Sequence, residues 1–125
     1  MKKLPWKIAE PPVFKLVPEK PGIYIISTRQ EVDHAYEVKY IGHADNLHER
    51  ALLHWSKKEK NKELKEHIAE DYVMKFNYSE VESKADREGM LIYLHELFSP
   101  PFNTEPLPNQ ETVKCTIPGV RKYLA

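Results

Sequence analysis

The sequence predicts an α+β domain with elements in the order β-β-α-α-β-α. Three observations carry this expectation. Tyr72, Met74, Phe76 and Tyr78 alternate with Val73, Lys75 and Asn77, the two-residue period of a strand. Leu47, Ala51 and Trp55 recur at helical spacing. Leu91, Leu94 and Phe98 form a second helical stripe, which Pro100-Pro101 stops.

The remaining elements follow in order. Pro5, Pro11, Pro12 and Pro18 exclude a regular helix near the start and predict an extended arm over residues 1–16. Trp6, Ile8, Val13, Phe14, Leu16 and Val17 are expected to pack on the core. The main domain is placed at residues 17–105. Pro21-Gly22 punctuates the start of a strand from Ile23 to Ser27. A second strand runs from Tyr36 to Ile41, with Tyr36, Val38 and Tyr40 sharing a face, and the polar stretch Arg29 to Ala35 joins the two as a long loop. Asn46 is a helix cap. The charged stretch Lys57 to Lys65 holds a break before a short helix ending near Ala69. Ser83 with Asp86 resembles a capping box. The Pro-interrupted tail, 106–125, is expected to pack on the domain or flank it.

At 125 residues the chain fits one domain that buries a core without covalent staples. The single Cys115 excludes an internal disulfide and suits a reducing compartment, so the expected location is cytoplasmic. No apolar run approaches the roughly 20 residues that span a bilayer, and no membrane association is expected. The net charge of zero conceals a division: residues 1–20 carry +3, residues 21–105 carry −5 and residues 106–125 carry +2. Because Lys and Arg neutralise phosphates when a protein holds nucleic acid, the acidic middle counts against tight binding by that part alone.

Chemistry concentrates in two tripeptides and four later positions. Gly22-Ile23-Tyr24 and Tyr40-Ile41-Gly42 put two phenols on one small sheet. Either phenol can relay a proton if nearby positive charge lowers its pKa. Gly42 stands where a side chain would crowd an approach to the sheet edge. Arg50 and His54, four apart, are neighbours on one helix face, and a guanidinium is a fixed fork for phosphate oxygens. Glu88 lies in line with Leu91 and Ile92, a carboxylate bordering the core that needs a partner: Lys84 four residues earlier, or a hard cation. Asn103 follows Pro100-Pro101-Phe102 as a turn residue or a loop clamp. His34, His48, His67 and His95 show no metal-ligand spacing.

In this order the set resembles the GIY-YIG nuclease domain family, over roughly Val17 to Asn103. The resemblance implies a three-stranded antiparallel sheet flanked by helices, and an endonuclease hydrolysing phosphodiester bonds in DNA, branched or non-specific duplex. It implies Glu88 as the sole protein ligand of one Mg²⁺ or Mn²⁺ ion, and Tyr24, Tyr40, Arg50, His54, Glu88 and Asn103 as catalytic. Gly42, His43, Arg50 and Asn103 would bind the substrate phosphate. His43 is a departure, since many members of the family have Lys or a small polar residue there. Tyr24 and Tyr40 remain equal candidates for the base. A rival reading is a catalytically silent nucleic-acid-binding module of this fold; another is a nuclease that draws affinity from a protein partner.

Overall fold

The computed structural model describes residues 1–70 and 72–119. Its strands are β1 (Lys7–Ala9), β2 (Gly22–Arg29), β3 (Glu37–Ala44) and β4 (Val73–Glu80); its helices are α1 (Leu47–His54), α2 (Lys62–Ala69) and α3 (Lys84–Phe98). All strand pairs are antiparallel, in the order β1-β4-β2-β3. The architecture is α+β as expected, with four strands rather than three.

The additional strand comes from the arm. Lys7, Ile8 and Ala9 lie between prolines, keep their backbone N–H groups, and pair with Tyr78, Asn77 and Phe76. They cover an edge of β4 that would otherwise present unpaired backbone groups. The arm's apolar residues divide. Phe14 and Val17 are buried, whereas Ile8, Val13 and Leu16 face solvent, which corrects the expectation that all of them pack inward. The His48 imidazole Nδ1 lies 3.0 Å from the carbonyl oxygens of both Phe14 and Val17 and ties the arm to α1.

A bulge changes the faces of β3. Ile26 is opposite Tyr40 and Ser27 is opposite Val38, so Lys39 has no opposite number in β2. One extra residue reverses the alternation beyond it. Tyr40 therefore packs with Tyr24, Ile26, Phe76 and Tyr78, while Val38 packs on the other face with Ile23, Ile25 and Ile41. Tyr36 lies before the strand, its ring 4.4 Å from the Arg29 guanidinium and 4.2 Å from the Lys75 ammonium. The expected common face of Tyr36, Val38 and Tyr40 does not form.

The sheet thus separates two cores. Leu47 and Ala51 of α1 and Leu64 of α2 cover the tyrosine face. Met90 and Leu94 of α3, with Cys115, cover the other, where Leu4, Trp6, Val113 and Ile117 pack as well. Trp6 Nε1 donates to the Thr116 carbonyl at 2.7 Å, so the tail packs on the domain through Val113, Cys115 and Ile117, while residues 109–112 are exposed; residues 120–125 of the expected tail lie outside the described residues. Among the described residues, no helix is long and apolar enough to cross a membrane.

Candidate functional site across the β3 edge

β3 is the last strand of the sheet, and the candidate residues gather around its outer edge. Tyr24 lies opposite Gly42 in the register. A Cβ at Gly42 would clash with the Tyr24 phenol ring, so this glycine leaves room for the ring itself rather than for an incoming ligand. The strand also continues past Gly42 to Ala44. The Tyr24 and Tyr40 rings stack with centroids 6.2 Å apart, and the His54 ring meets both edge-on, at 5.4 and 5.1 Å.

The first helix brings Arg50 and His54 to these phenols. Asn46 caps α1 by accepting from the Glu49 N–H at 3.0 Å, two residues after β3 ends. One helical turn separates Arg50 from His54, so both face the same hollow. Arg50 is exposed, and among the described residues it pairs with neither Asp45 nor Glu49. Asp45 is instead bonded to Arg87, at 2.7 Å.

Two adjoining hollows share Tyr40, Arg50 and Glu105. One, of about 290 Å³, is lined by Tyr24, Gly42, His43 and Asn103 among others. The second, of about 530 Å³, is lined by His54, Lys58, Glu59 and Lys60. Tyr24 is only 1 % exposed and forms part of the inner wall.

The hydrogen bonds inside the cleft form a chain. Tyr24 Oη lies 2.6 Å from His54 Nε2, and His54 Nδ1 bonds the Glu59 carboxylate. The second Glu59 oxygen accepts from the Asn61 backbone N–H at 2.8 Å. Tyr40 Oη donates to Glu105 at 3.1 Å. Burial raises the pKa of Tyr24 well above its ordinary value, with Tyr40 adding to the rise and Arg50 opposing it. Tyr40 is raised in the same way, by burial and then by Glu105. Both phenols are therefore protonated near neutral pH. Burial lowers the His54 pKa, against the upward pull of Glu59, so its imidazole is neutral there and available to accept a proton.

Asn103 reaches the same strand from the loop after α3. Its Oδ1 accepts from the Ile41 N–H at 2.9 Å and its Nδ2 donates to the Ile41 carbonyl at 2.7 Å. The amide acts as a one-residue strand partner, with one N–H left for a ligand.

Glu88 stands apart from that group and lines neither hollow, since α3 covers the opposite face of the sheet, whereas His43 lines the smaller hollow with Tyr24 and Asn103. Glu88 is half-buried, makes no ion pair with Lys84 or any other described residue, and is near enough to His43 to raise its pKa. Burial and the Arg87 charge outweigh that pull and lower it. His43 Nδ1 is buried and finds no hydrogen-bond partner among the described residues. The sheet edge passes between the two groups, and His43 is the bridge, lining the smaller hollow. A hard cation that keeps most of its waters suits an unpaired carboxylate such as Glu88. Elsewhere Glu31, Asp33 and His34 bring ligand atoms within 4.8 Å of one another, but all three are exposed in the β2–β3 loop, at the far end of the hairpin from Tyr24 and Gly42.

Three participants escaped sequence reasoning. Glu59 sits inside the charged stretch Lys57 to Lys65, read only as a break before a short helix, yet its side chain is only 8 % exposed. Glu105 follows Asn103 by two residues with no motif of its own. Arg87, next to Glu88, is 2 % exposed and donates to the carbonyls of Val81 and Glu82 as well as to Asp45. It anchors the first turn of α3 to the end of β3, and so positions Glu88.

No protein-family model matches this chain, and no curated protein sequence matches it significantly.

Proposed function

We propose that the protein is a metal-dependent endonuclease of GIY-YIG type, hydrolysing phosphodiester bonds in DNA. The observation that carries this reading is the placement of Arg50: an exposed guanidinium, unpaired among the described residues, at the mouth of a cleft walled by two phenols and a neutral imidazole. Arg50 would fork onto phosphate oxygens and meet the negative charge that grows as the phosphorus becomes five-coordinate. Lys58 and Lys60 would hold the flanking strand. The phenol facing the attacking water would take its proton while passing its own hydroxyl proton to its hydrogen-bond partner, His54 for Tyr24 or the Glu105 carboxylate for Tyr40. Asn103 would keep the β3 edge in register and offer its spare N–H to the phosphate.

Glu88 would hold the Mg²⁺ or Mn²⁺ ion. When bound, the ion supplies Lewis-acid stabilisation of the phosphate and of the departing oxygen, typically several kcal/mol. The raised pKa values of both tyrosines favour a second reading, a module that binds nucleic acid without cutting it. The test is incubation with labelled duplex, single-stranded and branched DNA in Mg²⁺, Mn²⁺ or EDTA, alongside the Glu88→Gln variant. Cleavage that requires the ion and is lost in the variant supports the nuclease. Binding without cleavage on every substrate and with either ion supports the silent module.

A further inference from the structure

We propose that the hollow at the far end of the β2–β3 hairpin from Tyr24 and Gly42 is a second phosphate-binding site, with Lys39 as its anchoring cation. The phosphate is a backbone group of the strand held in the cleft, which rests on the nucleic-acid reading, or the phosphate of a free nucleotide.

The hollow measures about 410 Å³ and lies among Thr28, Arg29, Lys39, His67 and Tyr72, none of which lines the cleft. The bulge in β3 creates it. Because Lys39 has no opposite number in β2, Lys39 and Tyr40 are consecutive residues that face the same side of the sheet. Tyr40 enters the core that α1 and α2 cover, and Lys39 enters the hollow beside His67 of α2. Lysines ordinarily extend into water, yet this side chain is only 19 % exposed. Phe102 separates the two cavities: its N–H donates to the Lys39 carbonyl at 3.0 Å, and its ring lies 5.1 Å from that of His67. A strand lying along β3 from Tyr40 therefore meets Lys39 at the next residue.

The lining favours an anion. Its fixed charges are Arg29 and Lys39 against Glu37, an excess of one positive charge. Arg29 spends one N–H on the Val32 carbonyl at 2.6 Å, while its Nε is buried and has no hydrogen-bond partner among the described residues. That leaves a costly unmet donor beside the hollow. The His67 ring stacks on Tyr72 with centroids 4.3 Å apart, and its Nε2 lies 2.9 Å from Thr28 Oγ1. Lys39 bonds the Glu37 carboxylate at 2.8 Å, but Glu37 is 73 % exposed. An anion thus already rests on Lys39 at the rim. A phosphate oxygen takes the same N–H when Glu37 turns into solvent, and the ammonium has two further donors to offer.

Nitrogen-15 NMR of the Lys39 ammonium, the Arg29 Nε–H and the His67 ring tests this during titration of the full chain. The ligands are inorganic phosphate, a nucleoside 5′-monophosphate and a single-stranded oligonucleotide. Saturable shifts are expected at all three residues. Affinity should fall about tenfold in Lys39→Gln, the usual worth of a charged hydrogen bond, and rise in Glu37→Gln, whose exposed position spares the fold. Bound phosphate should also raise the pKa of His67, which burial and Lys39 lower against the pull of Glu70 and Glu37; Arg29, His34 and Tyr72 are the other titratable groups around it. The tightest response to the oligonucleotide assigns the site to backbone phosphate, and the tightest response to the monophosphate assigns it to a free nucleotide. Signals unmoved by all three ligands overturn the site. So does undiminished binding in Lys39→Gln, or weakened binding in Glu37→Gln. No readout needs cleavage: a protein that binds phosphate here and cuts no DNA keeps the site and loses the nuclease, and the converse result keeps the nuclease and loses the site.

Discussion

Asn103 holds Ile41 through both halves of its amide, at 2.9 and 2.7 Å, and so replaces the neighbouring strand that β3 lacks at this point. Asn103→Asp retains the acceptor but sets a carboxylate oxygen against the Ile41 carbonyl. We expect it to destabilise the fold by about 1–3 kcal/mol, the cost of leaving half-buried polar groups unsatisfied. Urea denaturation of Asn103→Asp and Asn103→Ala measures this. Equal stability to wild type would mean that water replaces the amide, and Asn103 would then be free for substrate.

The close approach of Gly42 to Tyr24 predicts a coupled pair. Gly42→Ala should cost about 1–3 kcal/mol, because the added methyl must displace an aromatic ring inside a packed core. In a Tyr24→Ala background the same change should cost far less, giving a clear coupling energy in the double-mutant cycle. Additive effects would show that the methyl is accommodated by the backbone and not by the ring.

Stability should form a plateau between about pH 7 and pH 9. His43, His54 and His67 all have folded-state pKa values below the ordinary 6.5, chiefly from burial. Below that value the unfolded chain binds more protons than the native one, so stability falls as the pH drops from 6.5 towards the folded pKa values. On the alkaline side burial pushes Cys115 from 9.0 up to about 11, and Tyr24 and Tyr40 rise above 10.0. The unfolded chain loses those protons first, and stability falls again as the pH passes 9. Thermal unfolding followed from pH 5 to 11 gives the curve. A maximum at pH 5 would contradict the buried neutral histidines.

Duplex DNA binding should depend on Lys58 and Lys60, which line the hollow shared with Arg50. Replacing both by Gln should flatten the slope of log affinity against log salt by up to about 0.9 for each phosphate that is no longer neutralised. The four arm lysines, Lys2, Lys3, Lys7 and Lys15, serve as a comparison; Lys2 already faces Asp86 at 3.3 Å. A slope that changes only with the arm lysines would move the DNA path away from the cleft.

Local signals in the sequence determined most of the elements. The caps at Asn46 and Ser83 form as read, since an oxygen three residues ahead of an unbonded N–H needs nothing from the rest of the chain. The alternation from Val73 to Tyr78 and the stripe of α3 likewise depend on period alone. The pairing of Arg50 with His54 followed from helix geometry. Where a partner lies far away in the chain, the tertiary structure decided. The three-residue β1 is too short to show a period and exists because β4 offers it an edge. The bulge at Lys39 leaves no mark in the sequence and reverses the faces of the tyrosine and the valine beside it. Only the fold shows that Gly42 is a seat for the Tyr24 ring, or that Glu59, in the middle of a charged run, is a fixed acceptor behind His54. Charge and polarity are properties of a residue; burial and direction of donation are properties of its neighbours, and those neighbours come together only when the chain has folded.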